Sequence, residues 1–171
     1  MQFNDLIKER YSCRKFNDTK IDKDVLLEIL EAGRIAPTAK NLQPIRIYVF
    51  ESDEAINKID QVTPCRYGAR TVLGFTYNKE EQWRNSLEEG IRSGVQDVSI
   101  VATHIMLMAK NLGVDSCWIN FFTNSKLEEL FNIPENEKSV LLLALGYAHE
   151  EAEVSQKHTE KKNLDQIVKF L

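Results

Sequence analysis

Apolar and polar positions in this chain follow two rhythms, one helical and one of period two. Phe3, Leu6 and Ile7 recur at helical spacing within residues 2–9. The connector Arg10-Tyr11-Ser12-Cys13-Arg14-Lys15-Phe16 then reads as extended. Over 22–36, Val25, Leu26, Ile29, Leu30 and Gly33 share one stripe, with Asp22 or Asp24 near the start and Pro37 as the stop, which predicts a second helix. A polar loop over 38–44 leads into IRIYVF, a strand with Ile45, Ile47 and Val49 on one face. A short helix is predicted over 53–60, a loop over 63–68 and a strand over 71–77. The longest predicted helix runs over 86–112 and ends at Gly113. Its middle is apolar on more than one stripe, which predicts burial by a second subunit as well as by its own core. A strand is expected over 114–120. Ser125 and Glu128 are spaced as a capping box opening a short helix to Phe131. SVLLLALG at 139–146 predicts a buried central strand. Residues 148–162 are polar, and Asn163 is placed to cap a last helix over 164–170. Strands separated by helices make an α/β or α+β domain with a core sheet.

Composition narrows this picture little but usefully. The 171 residues are 43% hydrophobic and 28% charged, which suits a folded chain and not a disordered one. With 22 Lys and Arg against 26 Asp and Glu, the net charge of -4 argues against nucleic-acid or anionic-membrane partners, while leaving room for a small basic pocket. No apolar run reaches the roughly 18–20 residues that would span a bilayer, and no signal peptide is expected at the N-terminus. Cys13, Cys65 and Cys117 are far apart with no CxxC spacing, so no metal site or disulfide framework is expected and a reducing cytoplasm fits best. No repeat or linker divides the chain, so a single domain over 1–171 is expected, with 148–171 as a C-terminal arm.

Two segments carry candidate chemistry. In an extended segment Arg10, Ser12 and Arg14 point to one side, and two guanidiniums with a hydroxyl suit a phosphate or another flat anion. The plainer alternative has Arg10 finishing the first helix and Arg14 in solvent. The loop Pro37-Thr38-Ala39-Lys40-Asn41-Leu42-Gln43-Pro44 offers a hydroxyl and two amides that can read a heterocycle edge, or it is an ordinary helix-to-strand turn. No GxGxxG, P-loop or HExxH occurs. His104 reads as a hydrogen-bonded interface residue, and His149 and His158 as solvated. Arg66 stands beside Cys65 and would lower its thiol pKa, but no His partner is evident, so Cys65 reads as a loop residue. Cys117 and Trp118 read as packing. Asp97 is expected on an exposed face or paired, since an unpaired buried carboxylate is costly.

Taken together, these segments resemble the FMN-dependent nitroreductase family. The matching pieces, in order, are Arg10 to Phe16; Ala36 to Pro44; Lys110-Asn-Leu-Gly-Val-Asp-Ser-Cys-Trp118-Ile-Asn120; Leu143-Ala-Leu-Gly146-Tyr147; and Lys161-Lys162-Asn-Leu164. The resemblance implies an α+β fold with a mixed, mostly antiparallel sheet flanked by helices, and an intertwined homodimer whose 148–171 arms reach the partner subunit. It implies FMN as cofactor, held by Arg10, Tyr11, Ser12 and Arg14. Arg10 and Ser12 would take the phosphate and ribityl end, with Arg14 nearer the pyrimidine edge. Pro37, Thr38, Ala39 and Asn41 of the other subunit would line the ring. Trp118, Ile119 and Asn120 would place a backbone N–H near flavin N5, so no catalytic side chain is implied. Lys161 or Lys162 would return to the phosphate where the family usually has an arginine. In place of the substrate-covering residues of larger members, Arg66 and Tyr67 are the candidates. The implied reaction is ping-pong hydride transfer from NAD(P)H to a nitroaromatic, quinone or similar acceptor. The alternatives are a non-catalytic FMN-binding dimer, or another flavin reaction such as dehalogenation or flavin cleavage.

Overall fold

The computed structural model describes residues 2–171. Its centre is a four-stranded antiparallel sheet in the order β1-β2-β4-β3, formed by β1 (Ile45–Phe50), β2 (Thr71–Asn78), β3 (Asp115–Ile119) and β4 (Glu137–Gly146). The two central strands are the most apolar, because both of their faces are covered. Leu141, Leu143 and Leu145 of β4, with Leu73 and Phe75 of β2, face α2 (Lys23–Arg34) and α4 (Gly94–Asn111). Leu142, Ala144 and Val72 face the other way, onto Ile56 and Ile59 of α3 (Asp53–Ile59) and Leu127 of α5 (Asn124–Leu130). The period-two alternation of each strand thus feeds two separate cores. This is the expected α+β arrangement with a mostly antiparallel sheet. Among the described residues the parallel pairing is one isolated bridge, Ser12 to Ser116, on the outer edge of β3.

The helices α2 and α4 pack closely because Gly33 has no side chain. A Cβ there would lie 2.6 Å from Cδ1 of the buried Ile105. Asp22 caps α2 by accepting from the Asp24 N–H at 2.8 Å. The first helix, α1 (Phe3–Glu9), touches α4, and α6 (Leu164–Ile167) lies in the exposed arm.

Three expected boundaries move. The long helix starts at Gly94, not at 86. Gly94 abuts the ring of Tyr77, where a Cβ would come within 2.4 Å, and Gly90 turns the preceding segment at φ 88°. Leu87, inside the expected start of the helix, is 95% exposed. The Ser125–Glu128 capping box is not formed. Thr123 precedes α5, and Glu128 accepts instead from the Ser139 N–H at 3.0 Å and its hydroxyl at 2.7 Å. The last helix stops at Ile167, and the capping box of Asn163 and Gln166 closes its start.

The doubly apolar middle of α4 resolves into two surfaces. Val98, Val101, Ala102, Ile105 and Ala109 are buried in the chain's own core, whereas Val95 and Ile100 are exposed. Apolar side chains of the arm, including Leu164, Ile167, Phe170 and Leu171, are exposed as well. Among the described residues no helix is long and apolar enough to cross a membrane, and no group of His, Cys, Asp or Glu is arranged to hold a metal ion.

Candidate functional site

The chain leaves α1 at Arg10 in extended geometry, φ -63° and ψ 123°, and runs along the edge of β3. The Cys13 N–H donates to the Ser116 carbonyl at 2.9 Å. That anchor fixes the alternation. Cys13 is fully buried, and Ser12 with both arginines lines a cavity of about 250 Å³ on the other side. Tyr11 also lines it, with its ring held under Lys110 Nζ at 5.4 Å. Burial, reinforced by the neighbouring Asp115 carboxylate, pushes the Tyr11 phenol far up. Lys110 itself is paired with Asp115 at 3.0 Å.

The far wall of the cavity comes from the arm. Ser155, Lys157, His158 and Lys161 close over the arginines. His158 Nε2 donates to the Lys8 carbonyl at 3.0 Å, tying the arm to α1. His158 is therefore part of the cavity wall and not the solvated residue expected. Lys161 lines the cavity and Lys162 does not. Ser155, Lys157 and His158 were not legible as site residues. The sequence signal for them was the basic run Lys157-His158 three residues before Lys161. The walls carry four cations and no carboxylate, in a chain of net charge -4. Among the described residues Arg10 forms no ion pair. Such a cluster repels itself until an anion neutralises it.

Arg14 lies on the cavity wall close enough to the loop at 63–68 to act on Tyr67. The Tyr67 phenol is pushed up first by its hydrogen bond with Cys65 and then by burial, with Arg14 pulling it down. Tyr67 has φ 55°, an uncommon left-handed conformation for a non-glycine residue. Arg66 does not join the cluster. Its guanidinium is held by Asp60 at 2.6 and 2.8 Å and donates to the Ala69 carbonyl. Burial raises the thiol pKa of Cys13 and of Cys117, which keeps both unreactive at neutral pH. Further along β3, Ile119 is buried, and the Trp118 indole N–H donates to Asn120 Oδ1 at 2.9 Å.

The second candidate segment lies elsewhere. Pro37, Thr38, Ala39 and Asn41 form a tight turn in which Lys40, Asn41 and Gln43 all have φ between 51° and 55°. Each non-glycine residue held this way costs about 1–2 kcal/mol, so the shape must be imposed by its surroundings. The Gln43 N–H donates to Thr38 Oγ1 at 3.1 Å, and the Ala39 N–H donates to Asp97 Oδ1 at 2.8 Å. Asp97 is 1% exposed, neither surface-exposed nor in an ion pair among the described residues.

Asp97 sits in the first turn of α4 and Lys110 in its last. They are thirteen residues apart, about 20 Å along a helix rising 1.5 Å per residue. Within one chain the loop at 37–43 and the cationic cavity therefore occupy opposite ends of α4.

The sequence model of a family described as the nitroreductase family matches residues 7–65 and 64–147. A relative from Methanothermobacter thermautotrophicus, provisionally named an NADH dehydrogenase/NAD(P)H nitroreductase, is 30% identical over 88% of this chain and 79% of its own length. A crystal structure of a nitroreductase family protein from Clostridium difficile 630 superposes with a TM-score of 0.93 at 34% identity, covering 99% of this chain and 98% of that one. A protein described as an FMN-dependent nitroreductase from Clostridium difficile R20291 superposes with a TM-score of 0.76 at 25% identity, covering 96% of each chain.

Proposed function

The chain belongs to the nitroreductase family, and from that premise we propose that it is an NAD(P)H-dependent oxidoreductase that holds FMN between two copies of itself. The observation that carries the reading is the cavity at Arg10, Ser12, Arg14 and Lys161, with four cations and no carboxylate on its walls. Its donor set suits a phosphate, and its 250 Å³ suits the phosphate and part of a ribityl chain but not a tricyclic ring. Arg10 and Ser12 take the phosphate end, with Lys161 above. Arg14, on the side of the cavity toward the Tyr67 loop, is the cation for the pyrimidine edge. Trp118, Ile119 and Asn120 continue along β3 as the main-chain edge of the ring site.

The ring then needs a second wall, and Pro37, Thr38, Ala39 and Asn41 supply it from the partner. The loop and the cavity are associated with opposite ends of α4, about 20 Å apart along its axis, and that placement supports the division. The exposed Val95 and Ile100 of α4 and the exposed apolar arm supply surface for such a dimer. Bound there, FMN supplies a two-electron redox centre that exchanges hydride with NAD(P)H and then with a nitroaromatic, quinone or similar acceptor, in a ping-pong cycle. The protein's own part is positional and electrostatic. Arg14 adds positive charge where reduction leaves negative charge, and the Tyr67 loop borders that edge. Small-molecule redox chemistry in the cytoplasm, with no nucleic-acid or membrane partner, completes the reading.

The test is to purify the protein from cells and identify any flavin released on denaturation. Stoichiometric FMN with NAD(P)H oxidation that requires an added acceptor is the expected result. A colourless protein that takes up no FMN when it is supplied would contradict the proposal, and bound FMN without turnover would leave only the binding half.

A further inference from the structure

Asp97 is a buried carboxylate that no cation among the described residues neutralises. Such a group is costly to bury unless each oxygen is satisfied. Both are: Oδ2 accepts from the Ser93 hydroxyl at 2.6 Å, and Oδ1 from the Ala39 N–H at 2.8 Å. The N-terminal end of α4 adds the favourable field of its free N–H groups. Ser93 stands at the position where a serine ordinarily caps the helix, yet its hydroxyl does not cap it. It donates to Asp97 and accepts from the Trp83 N–H at 3.1 Å, while the Ser93 N–H donates to the Trp83 carbonyl at 3.1 Å. One carboxylate therefore ties together the start of α4, the segment carrying Trp83, and a turn with three left-handed non-glycine residues. Ala39 is the residue through which that turn is gripped.

We propose that Asp97 is a positioning residue: it clamps the 38–43 turn, through the Ala39 amide and jointly with Ser93, in the shape that forms the ring wall of the partner's flavin site. This rests on the functional reading above, which assigns that turn to the ring. A purely structural carboxylate would stabilise the α4 terminus and leave the flavin environment alone. A positioning carboxylate changes the ring's surroundings without touching the phosphate anchor at the other end of α4. Lys40 and Leu42 of the turn also border the same open groove as Trp83, so the clamp sets one side of the space beside the ring.

The experiment compares wild type, Asp97→Ala, Asp97→Asn and Ser93→Ala in the purified full-length protein. The asparagine keeps an oxygen for the Ala39 N–H and can donate to Ser93 Oγ, so it is the conservative rescue. Hydrogen exchange at the Ala39 to Gln43 amides, without and with FMN, reads the clamp directly. Visible circular dichroism and the midpoint potential of bound FMN read its consequence, and KM against kcat for a quinone acceptor reads the wall. Asp97→Ala should exchange these amides at least tenfold faster, shift the flavin circular dichroism and potential, and raise the acceptor KM more than it lowers kcat. Ser93→Ala should do the same to a smaller extent, and Asp97→Asn should stay near wild type. Unchanged amide exchange in Asp97→Ala overturns the clamp. Faster exchange with an unaltered flavin spectrum, potential and KM overturns the positioning role. If Asp97→Ala fails to fold, the same criteria apply to Ser93→Ala. A wild type that binds no FMN sinks the functional reading instead, and the exchange data still decide whether the clamp exists.

Discussion

Replacing Arg10 with alanine should weaken binding of oxidised FMN while leaving the folded chain nearly as stable as before. Arg10 lines the cationic cavity and forms no ion pair among the described residues, so its removal orphans no carboxylate. Its structural duty at the end of α1 is carried by the backbone, where its N–H donates to the Leu6 carbonyl at 3.0 Å, and alanine keeps that bond. The lost interaction of a cation with the helix end is worth about 0.3–1 kcal/mol. A hydrogen bond to a charged group is worth about 1.5–3 kcal/mol, and each 1.4 kcal/mol is about tenfold in affinity. The dissociation constant for FMN should therefore rise roughly 10- to 150-fold. Calorimetric titration of apoprotein with oxidised FMN measures this, and thermal unfolding of the same preparations reports stability. Part of the effect is long-range attraction, so the gap between variant and wild type should narrow as salt is raised. Lys58→Ala removes a cation that Glu54 already pairs on α3, and it serves as the control. Wild-type FMN affinity in a folded Arg10→Ala protein would refute the assignment of the phosphate to this cavity.

Other consequences follow from the same geometry. Arg14→Gln keeps hydrogen-bonding capacity but removes charge, so the flavin midpoint potential should fall, about 30 mV for each 1.4 kcal/mol lost from the two-electron reduced state. Redox titration beside the oxidised-FMN dissociation constant separates this from a phosphate role, in which affinity would fall and the potential would not. Ala102 and Ile105 are fully buried in the chain's own core, so Ile105→Ala should cost about 2–5 kcal/mol in denaturant unfolding. Ile100→Asp, on the exposed stripe of α4, should instead shift sedimentation toward monomer and release flavin with little loss of secondary structure. Burial, with the hydrogen bond to Glu137 at 2.9 Å, pushes the Tyr48 phenol up to about 12. The folded state holds that proton more tightly than the unfolded chain, where tyrosine titrates near 10. This contribution is complete below about pH 10 and is lost as pH rises through about 12. Tyr48→Phe should flatten the fall of stability with pH in that window, measured by denaturant titration at stepped alkaline pH.

What could be read from the sequence, and what could not, divides by the range of the interactions involved. The strands β1, β2 and β4 were legible because their alternating or continuous apolar runs are local, and so was the stripe of α2. The triad Arg10, Ser12 and Arg14 was legible because an extended segment forces alternate residues to one side, and the structure places all three on one cavity. The start of α4 was not legible. It is set by Tyr77 against Gly94 and by Ser93 with Asp97, contacts that a hydrophobic pattern does not register. Glu128 was misassigned because its true partner, Ser139, lies on β4. The cavity wall of Ser155, Lys157 and His158 was hidden in a polar arm whose path depends on the contact of His158 with Lys8. Arg66 looked available for substrate, and only the fold shows Asp60 holding it.

If two copies of this chain hold one FMN at each joint site and use it to move hydride, the flavin must be reduced by one substrate and reoxidised by the next. The most direct measurement is an anaerobic titration of the flavin-bound dimer, first with NAD(P)H alone and then, after the oxidised nicotinamide is removed, with a quinone. One equivalent of NAD(P)H per flavin should bleach the oxidised-flavin absorption, and one equivalent of quinone should restore it. Flavin absorption that stays unchanged with both NADH and NADPH would contradict this.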